Sequence, residues 1–390
     1  MKKKSLINIC LVTWFQSVNY GTCIQCYALS KFLQDEGYNV YVPESYKYYY
    51  GIEHPVDTLK KIIIKIRQKI SNPNEVSKFS ALSENIKKDY EIRCRKNMIF
   101  SYTENNVFKF KNKKDFKKMI EITDIFITGS DQIWNPSYVT PPFLLAFAPD
   151  DKKKIAYASS FGVDNLTEKQ RRVYKYYLKR YEEIGVREHT GALLLSEILE
   201  RRVCTVLDPT FLLNRDRWAD IAAKSKKPIE NDPFVFCYFI GENSSWLHQI
   251  ERIANLKNWN VIIALSESHE VPQKGKIVAN AGVEDFIYYI KESRFVASDS
   301  FHAMALSINM NKEFVAYKRF SDESKDSQNS RVYDMLKMYN LENRIIDSYQ
   351  QLEINTDEMI DYRQVNDILK VLRDESVDFL HDAIEKSLEE

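Results

Sequence analysis

The chain has 390 residues, 44% of them hydrophobic and 28% charged, which is too long for one core and ordinary enough in composition for a two-domain globular protein. Its 56 basic and 55 acidic side chains leave a formal net charge of +1, so no whole-molecule field points to nucleic acid. No apolar run approaches the ~18 residues of a membrane span; a cytoplasmic location is expected, and the six cysteines need form no disulfides.

The amino terminus, MKKKSLINICLVTWFQS, sets lysines before a short apolar run in the manner of a secretory signal, but no small-x-small cleavage site follows. Residues 5–12 are expected to form a first core strand leading into a helix at 21–36. That helix contains Cys23 and Cys26, the C-x-x-C spacing of redox and zinc sites. No second pair at metal spacing accompanies them, and on a helix they pack as small apolar residues. No protein-bound metal and no cofactor are expected.

Further strands are expected at 38–43, 123–128, 154–159, 183–187 and 203–207, with helices at 55–70, 76–97, 112–120, 166–181 and 189–200. Two stretches here are locally basic, LKKIIIKIRQKI (59–70) and KFKNKKDFKK (109–118). Solvated helix faces account for such runs; contact with an anionic membrane surface or a lipid-linked substrate is the alternative. The polar stretch 214–233, with room for a short helix, interrupts the series before FVFCYFIG restarts it. Strands then follow at 234–240, 260–265, 276–279, 294–298, 313–317 and 344–347, with helices at 244–256, 283–291, 301–310, 330–339 and 363–387.

Strands separated by helices imply parallel sheets covered on both faces. The expected fold is α/β, two doubly wound halves with parallel sheets and an interdomain cleft. The division is 1–213, 214–362 and a terminal helix at 363–390 that can pack back on the first domain. Ligands in such folds bind beyond the carboxyl ends of the strands. Average usage would give roughly 27 glycines, yet there are 10. Gly21, which opens the first helix, and Gly129, Gly162 and Gly241, which follow apolar runs, are therefore read as backbone positions that need glycine.

Four segments place chemistry at those edges. In FVASDSFHAMALSIN (295–309) a strand passes into a helix that Ser300 is placed to cap. His302 sits in the first turn, where free N–H groups and the helix dipole favour an anion and a neutral ring; a plain capping histidine is the alternative. In DIFITGSDQIWNP (124–136), Gly129 and Ser130 deliver Asp131 to the sheet edge as a base, a hydroxyl-binding group or another cap. Trp134 can stack on a sugar or fill the core. In IGVREHTG (184–191), Arg187 ends a strand, suited to phosphate or carboxylate, or else to an ion pair with Glu188 or Asp208. In VLDPTFLL (206–213), Asp208 ends a strand before a proline turn.

Taken together, these segments resemble the polysaccharide pyruvyl transferase family. NYGTCIQCYAL is similar to its amino-terminal Asn-x-Gly helix start, GSDQIWN, VREHTG and LDPTFLL to its middle blocks, and SDSFHAMALSINMNKEFV to its histidine block. NSRVYDMLKMYNLENR (329–344) resembles the segment that follows. The resemblance spans roughly residues 5–345. It implies two Rossmann-like domains in a GT-B-like arrangement and transfer of an enolpyruvyl-derived unit from phosphoenolpyruvate, a substrate, to a sugar, giving a pyruvate ketal in surface or capsular polysaccharide synthesis.

On the same resemblance His302 matches the catalytic histidine and Arg187 an arginine that holds the donor. From the residues themselves, Asp131 is expected to join His302 in catalysis by activating or orienting the acceptor, and Asn19, Gly21, Ser130, Trp134 and Asp208 are expected on the acceptor side. Ser300 stands where better-studied members carry arginine, and Lys318, Arg319 and Arg331 are the nearest residues in sequence to supply that charge. The acceptor sugar can be carried by a nucleotide or a polyprenyl diphosphate, the latter with weak contact at the inner membrane face. Two rival readings are a glycosyltransferase using a nucleotide sugar and a non-catalytic component of a polysaccharide system.

Overall fold

The computed structural model describes residues 4–15, 19–46, 106–241, 244–266, 275–320 and 328–389, with isolated positions at 49 and between 84 and 89. The helix expected at 55–70, most of that at 76–97, the basic run 59–70 and Cys94 lie outside the described residues.

The first half begins with β1 (Asn8–Val12), α1 (Tyr20–Asp35), β2 (Asn39–Pro43) and β3 (Val107–Phe108). It continues with α2 (Lys113–Ile122), β4 (Ile125–Thr128), β5 (Lys153–Ser159) and α3 (Glu168–Leu178), then β6 (Glu183–Val186), α4 (His189–Leu199) and β7 (Cys204–Thr205). The second half opens with α5 (Arg215–Ala222), β8 (Phe234–Tyr238), α6 (Ser244–Lys257), β9 (Asn260–Ala264) and β10 (Lys276–Val278). There follow α7 (Val283–Glu292), β11 (Phe295–Ser298), α8 (Phe301–Asn309), β12 (Phe314–Tyr317) and α9 (Ser330–Met338). The short β13 (Ile345–Ile346), α10 (Tyr349–Asp357) and α11 (Tyr362–Glu389) end the chain.

The strands assemble into two parallel sheets, ordered β3-β2-β1-β4-β5-β6-β7 and β10-β9-β8-β11-β12-β13. Each sheet steps outward from its first strand one way, then reverses and continues the other way. Each therefore has one switch point, between β1 and β4 and between β8 and β11, where connections leave in opposite directions and a crevice opens beyond the carboxyl ends. These four strands bury every residue from Ile9 to Val12, Ile125 to Thr128, Phe234 to Tyr238 and Phe295 to Ser298, as expected of strands covered on both faces.

α1 is buried on nearly every face. Its Cys26 and Leu29 pack on the first sheet, while Tyr20, Ile24 and Tyr27 join the core around Trp218, Phe286 and Phe301. The tyrosine Tyr20 donates its hydroxyl to the carbonyl of Ala281, 2.8 Å away in the second half. Cys23 and Cys26 are buried within this helix and form no disulfide; the Cys23 thiol donates to the Phe15 carbonyl at 3.3 Å. α11 spans both halves: Val365 and Leu369 lie in the core with Trp218, and Leu380, Ala383 and Ile384 in the core with β1 and β5. The two Rossmann-like sheets, the cleft between them and this returning helix make the arrangement GT-B-like.

Candidate functional site

The loops leaving β1, β4, β8 and β11 meet across the interdomain gap. They line a cleft of about 470 Å3 with Trp14, Asp131, Ile240 and Ser300, one residue from beyond each of the four switch-point strands. Asn19, Thr22, Gln132 and Tyr138 complete the wall from the first half, and Phe301, His302, Arg319, Gln328 and Arg331 that from the second.

His302 stands in the first turn of α8 with its side chain 8% exposed. One side of its ring lies against Gly21, in the first turn of α1: a Cβ built on Gly21 would sit 2.1 Å from His302 Nδ1. Glycine is needed there for close approach of a side chain, not for backbone torsion. On its other side, Nε2 lies 3.5 Å from Asp208 Oδ2. The helix α1 is capped by the Asn19 side chain, which accepts from the Gly21 N–H at 2.9 Å. Ser300 holds the cap position of α8, but its hydroxyl makes no capping bond, contrary to the sequence expectation. Two helix amino termini thus converge on the histidine, each with first-turn amides suited to an anion.

Asp208 is the hub behind that ring. It is fully buried, and its Oδ2 accepts from Ser130 Oγ at 2.8 Å and from Arg187 Nη1 at 3.2 Å. Burial alone would raise its pKa, but His302, Arg187 and the Thr210 amide together hold the carboxyl well below the usual range. It does not line the cleft, and neither does Ser130; both were expected on the acceptor side, and Ser130 instead donates to Asp208, whose carboxylate lies behind the His302 ring. Trp134 is likewise no sugar platform, because it is wholly buried, with Nε1 donating to the Phe143 carbonyl at 2.8 Å.

Arg187 follows the bland alternative that its sequence allowed, and both partners take part. Its side chain is 2% exposed, 3.0 Å from Glu188 Oε1, and bound to Asp208. Its guanidinium lies 4.2 Å from the Phe301 ring centroid, a stacking that suits a delocalised cation. Burial lowers its pKa, but Glu188, Asp208 and Asp131 outweigh that and raise it. The structure brings it within reach of Asp208 and His302 without bringing it to the cleft wall.

Among the described residues, Arg319 and Arg331 are the arginines lining that wall. Arg319 Nε lies 3.4 Å from Asp299 Oδ2; Asp299 also accepts from the amides of Ile240 and Gly241 at 2.7 and 2.8 Å, pinning the β8 and β11 ends together. Arg331 is 7% exposed and donates to the Gln328 carbonyl at 3.1 Å. Among the described residues no carboxylate lies at ion-pair distance from it. Its pKa is pushed down to about 9, by burial first and then by repulsion from Arg187 and Arg319. A guanidinium that lines a cleft with no carboxylate at ion-pair distance among the described residues suits an anion. Lys318 is not brought there; its ammonium pairs with Asp347 at 3.1 Å.

Asp131 is on the opposite wall in a left-handed conformation, φ 73°, uncommon for a residue with a side chain. The turn aims its carboxylate at Thr22, whose hydroxyl it accepts at 2.8 Å, and at the Gln132 amide, also 2.8 Å away. Trp14, Thr22, Gln132, Tyr138 and Gln328 were missed in the sequence. They lie outside its motifs or looked like spacers within them, and the strand-end position of Trp14 was the one available signal.

Residues 19–322 match the family model described as polysaccharide pyruvyl transferase. No curated protein matches the chain by sequence. Among solved structures, the chain is similar to UDP-N-acetylglucosamine 2-epimerase from Rickettsia bellii, with a TM-score of 0.49 and 10% identity over 97% of each chain. It is similar to the wall teichoic acid polymerase TagF with a TM-score of 0.49 and 10% identity, over 98% of this chain and 91% of that one. For MurG from Acinetobacter baumannii the values are 0.43 and 12%, over 97% and 99%.

Proposed function

Because the chain belongs to the polysaccharide pyruvyl transferase family, we propose that its cleft transfers an enolpyruvyl-derived unit from phosphoenolpyruvate to a sugar, forming a pyruvate ketal in surface or capsular polysaccharide synthesis. The observation that carries this reading is Arg331, a buried cation without a carboxylate partner among the described residues, lining the same cleft as Arg319, His302 and the α8 amino terminus. Phosphoenolpyruvate brings about three negative charges and needs such a wall. In this reading Arg331 and Arg319 take over the charge that Ser300 lacks.

Ketal formation adds a proton to the methylene carbon and one sugar hydroxyl to C2. Phosphate then leaves C2 as a second hydroxyl closes the ring; the two hydroxyl protons replace the one given to carbon and the one carried off on phosphate. His302, oriented by Asp208, delivers the proton to carbon, and Asp131 receives one from the acceptor hydroxyl. Arg187 does not touch the donor; it holds Asp208 ionised and in place, as a buried carboxylate partner must be held to orient an imidazole.

The test is phosphate release from phosphoenolpyruvate against a panel of nucleotide-linked and polyprenyl-linked sugars, for the wild type and Arg331→Gln. Release with at least one acceptor is expected, with the KM for phosphoenolpyruvate raised at least tenfold in the variant. An unchanged KM would remove Arg331 from the donor site, and thermal protection by a UDP- or GDP-sugar without any phosphate release would replace the donor.

A further inference from the structure

The two walls of the cleft differ in chemistry. The described lining residues of the second half include two arginines and a helix amino terminus; those of the first half include no lysine or arginine, but two aromatic rings, two amides, one hydroxyl and the Asp131 carboxylate. We infer that Trp14 and Tyr138 form the platform on which the acceptor is held, and that the acceptor is bound there as an uncharged pyranose ring, whatever its carrier. This rests on the donor occupying the arginine wall.

Tyr138 is 50% exposed, an aromatic ring left in solvent at the rim of a cleft. Trp14 packs edge-on against it, centroids 6.2 Å apart at 64°, and edge-on against Phe143, 5.8 Å apart at 89°. Each ring thus packs against a neighbouring ring while lining the cleft. The Tyr138 backbone is tied into the Asn135 turn, its N–H donating to the Asn135 carbonyl at 2.9 Å, and the Gln25 side chain donates to the Trp14 carbonyl at 2.8 Å. A sugar presents C–H groups on one face and hydroxyls at its edge. Rigid aromatic faces receive the first and a few convergent polar groups receive the second. Thr22, Gln132 and Asp131 stand on the same wall for the hydroxyls, with Asp131 facing His302 across the gap.

Saturation-transfer NMR of the full chain with the methyl glycosides of galactose, mannose and N-acetylglucosamine, each alone, tests this, with phosphoenolpyruvate protection in thermal melts as the parallel measurement. The wild type is expected to transfer saturation to the C–H protons of one face of at least one glycoside. Trp14→Ala and Tyr138→Ala should each reduce that signal at least fivefold and leave phosphoenolpyruvate protection unchanged, while Trp14→Phe, which keeps a ring and guards against misfolding, should retain most of it. A glycoside signal untouched by the alanine substitutions, or no glycoside signal in a wild type that phosphoenolpyruvate protects, overturns the platform. Glycoside binding lost with the rings, in a protein that phosphoenolpyruvate fails to protect, keeps the platform and removes the donor.

Discussion

A carboxylate buried between a guanidinium and an imidazole stays ionised deep into acid, and Asp208 meets that description. Its folded pKa lies below the roughly 3.9 of an unfolded chain, so its contribution to stability is complete above about pH 4 and is lost as the pH falls toward the folded value. In urea titrations between pH 3 and 6, the stability difference between wild type and Asp208→Asn should therefore shrink below pH 4; a constant difference would show that the carboxylate is not held ionised by folding. In catalysis the same variant should lower kcat at least a hundredfold with little change in KM for phosphoenolpyruvate and a displaced pH profile, because the ring loses its orienting partner. A KM effect alone would place Asp208 in binding. Gly21→Ala tests the packing of the ring. The added Cβ would lie 2.1 Å from His302 Nδ1 and 2.9 Å from His302 Cβ, so the ring and the α1–α8 contact must both give way, at the roughly 1–3 kcal/mol typical of overpacking. Activity should fall at least a hundredfold with a lowered melting temperature, and near-normal activity would mean that the ring need not sit there. Gly21, expected on the acceptor side, packs instead against the His302 ring; the positions of His302 and Asp131 at the cleft were legible because their neighbours spell a strand running into a turn. The roles of Arg187, Asp208 and Trp134 were not, since a strand-end polar residue and a loop tryptophan read alike whether they face the cleft or the core behind it.

Elements were legible wherever period and length agreed. The alternation of buried strands with helices gave parallel sheets, and the strand edges fell within a few residues, although β1 starts at Asn8 after a short 3-10 turn rather than at residue 5. Val107–Phe108 was missed because two residues carry no period. α10 was missed because it buries only Leu352 and Asn355; its signal was local, the capping box of Ser348 with Gln351. α2 carries the described part of the basic surface. Lys113, Lys114, Lys117 and Lys118 are exposed on it, while Phe116 and Met119 are buried, so the basic run is a solvent-facing helix side that can lie against an anionic surface. If the acceptor is polyprenyl-linked, the protein should sediment with anionic vesicles at low salt, and replacing these four lysines by glutamine should abolish that. Sedimentation unaffected by salt or by the substitutions would detach this helix from any membrane role.

Across the whole molecule, α11 couples the two sheets. Its first turns pack in the second core and its last turns in the first, with Ser376 accepting the Leu207 N–H at 2.9 Å between them. Leu380 is fully buried, and Leu380→Ala should cost about 2–5 kcal/mol by transfer and cavity. Because the helix serves both cores, that loss should shift one transition seen alike by tryptophan fluorescence and far-UV circular dichroism; early separate melting of the first half would show the halves to be independent. The coupling matters because the cleft is made by both halves, arginines from one facing Asp131 and the aromatic pair from the other. Titration calorimetry with phosphoenolpyruvate on wild type, Arg331→Gln and His302→Ala addresses that arrangement most directly. The wild type should bind, the arginine variant should bind at least tenfold more weakly, and the histidine variant should bind yet release no phosphate with any acceptor of the panel. Equal binding by wild type and Arg331→Gln, or binding of a UDP-sugar where phosphoenolpyruvate gives no heat, would contradict it.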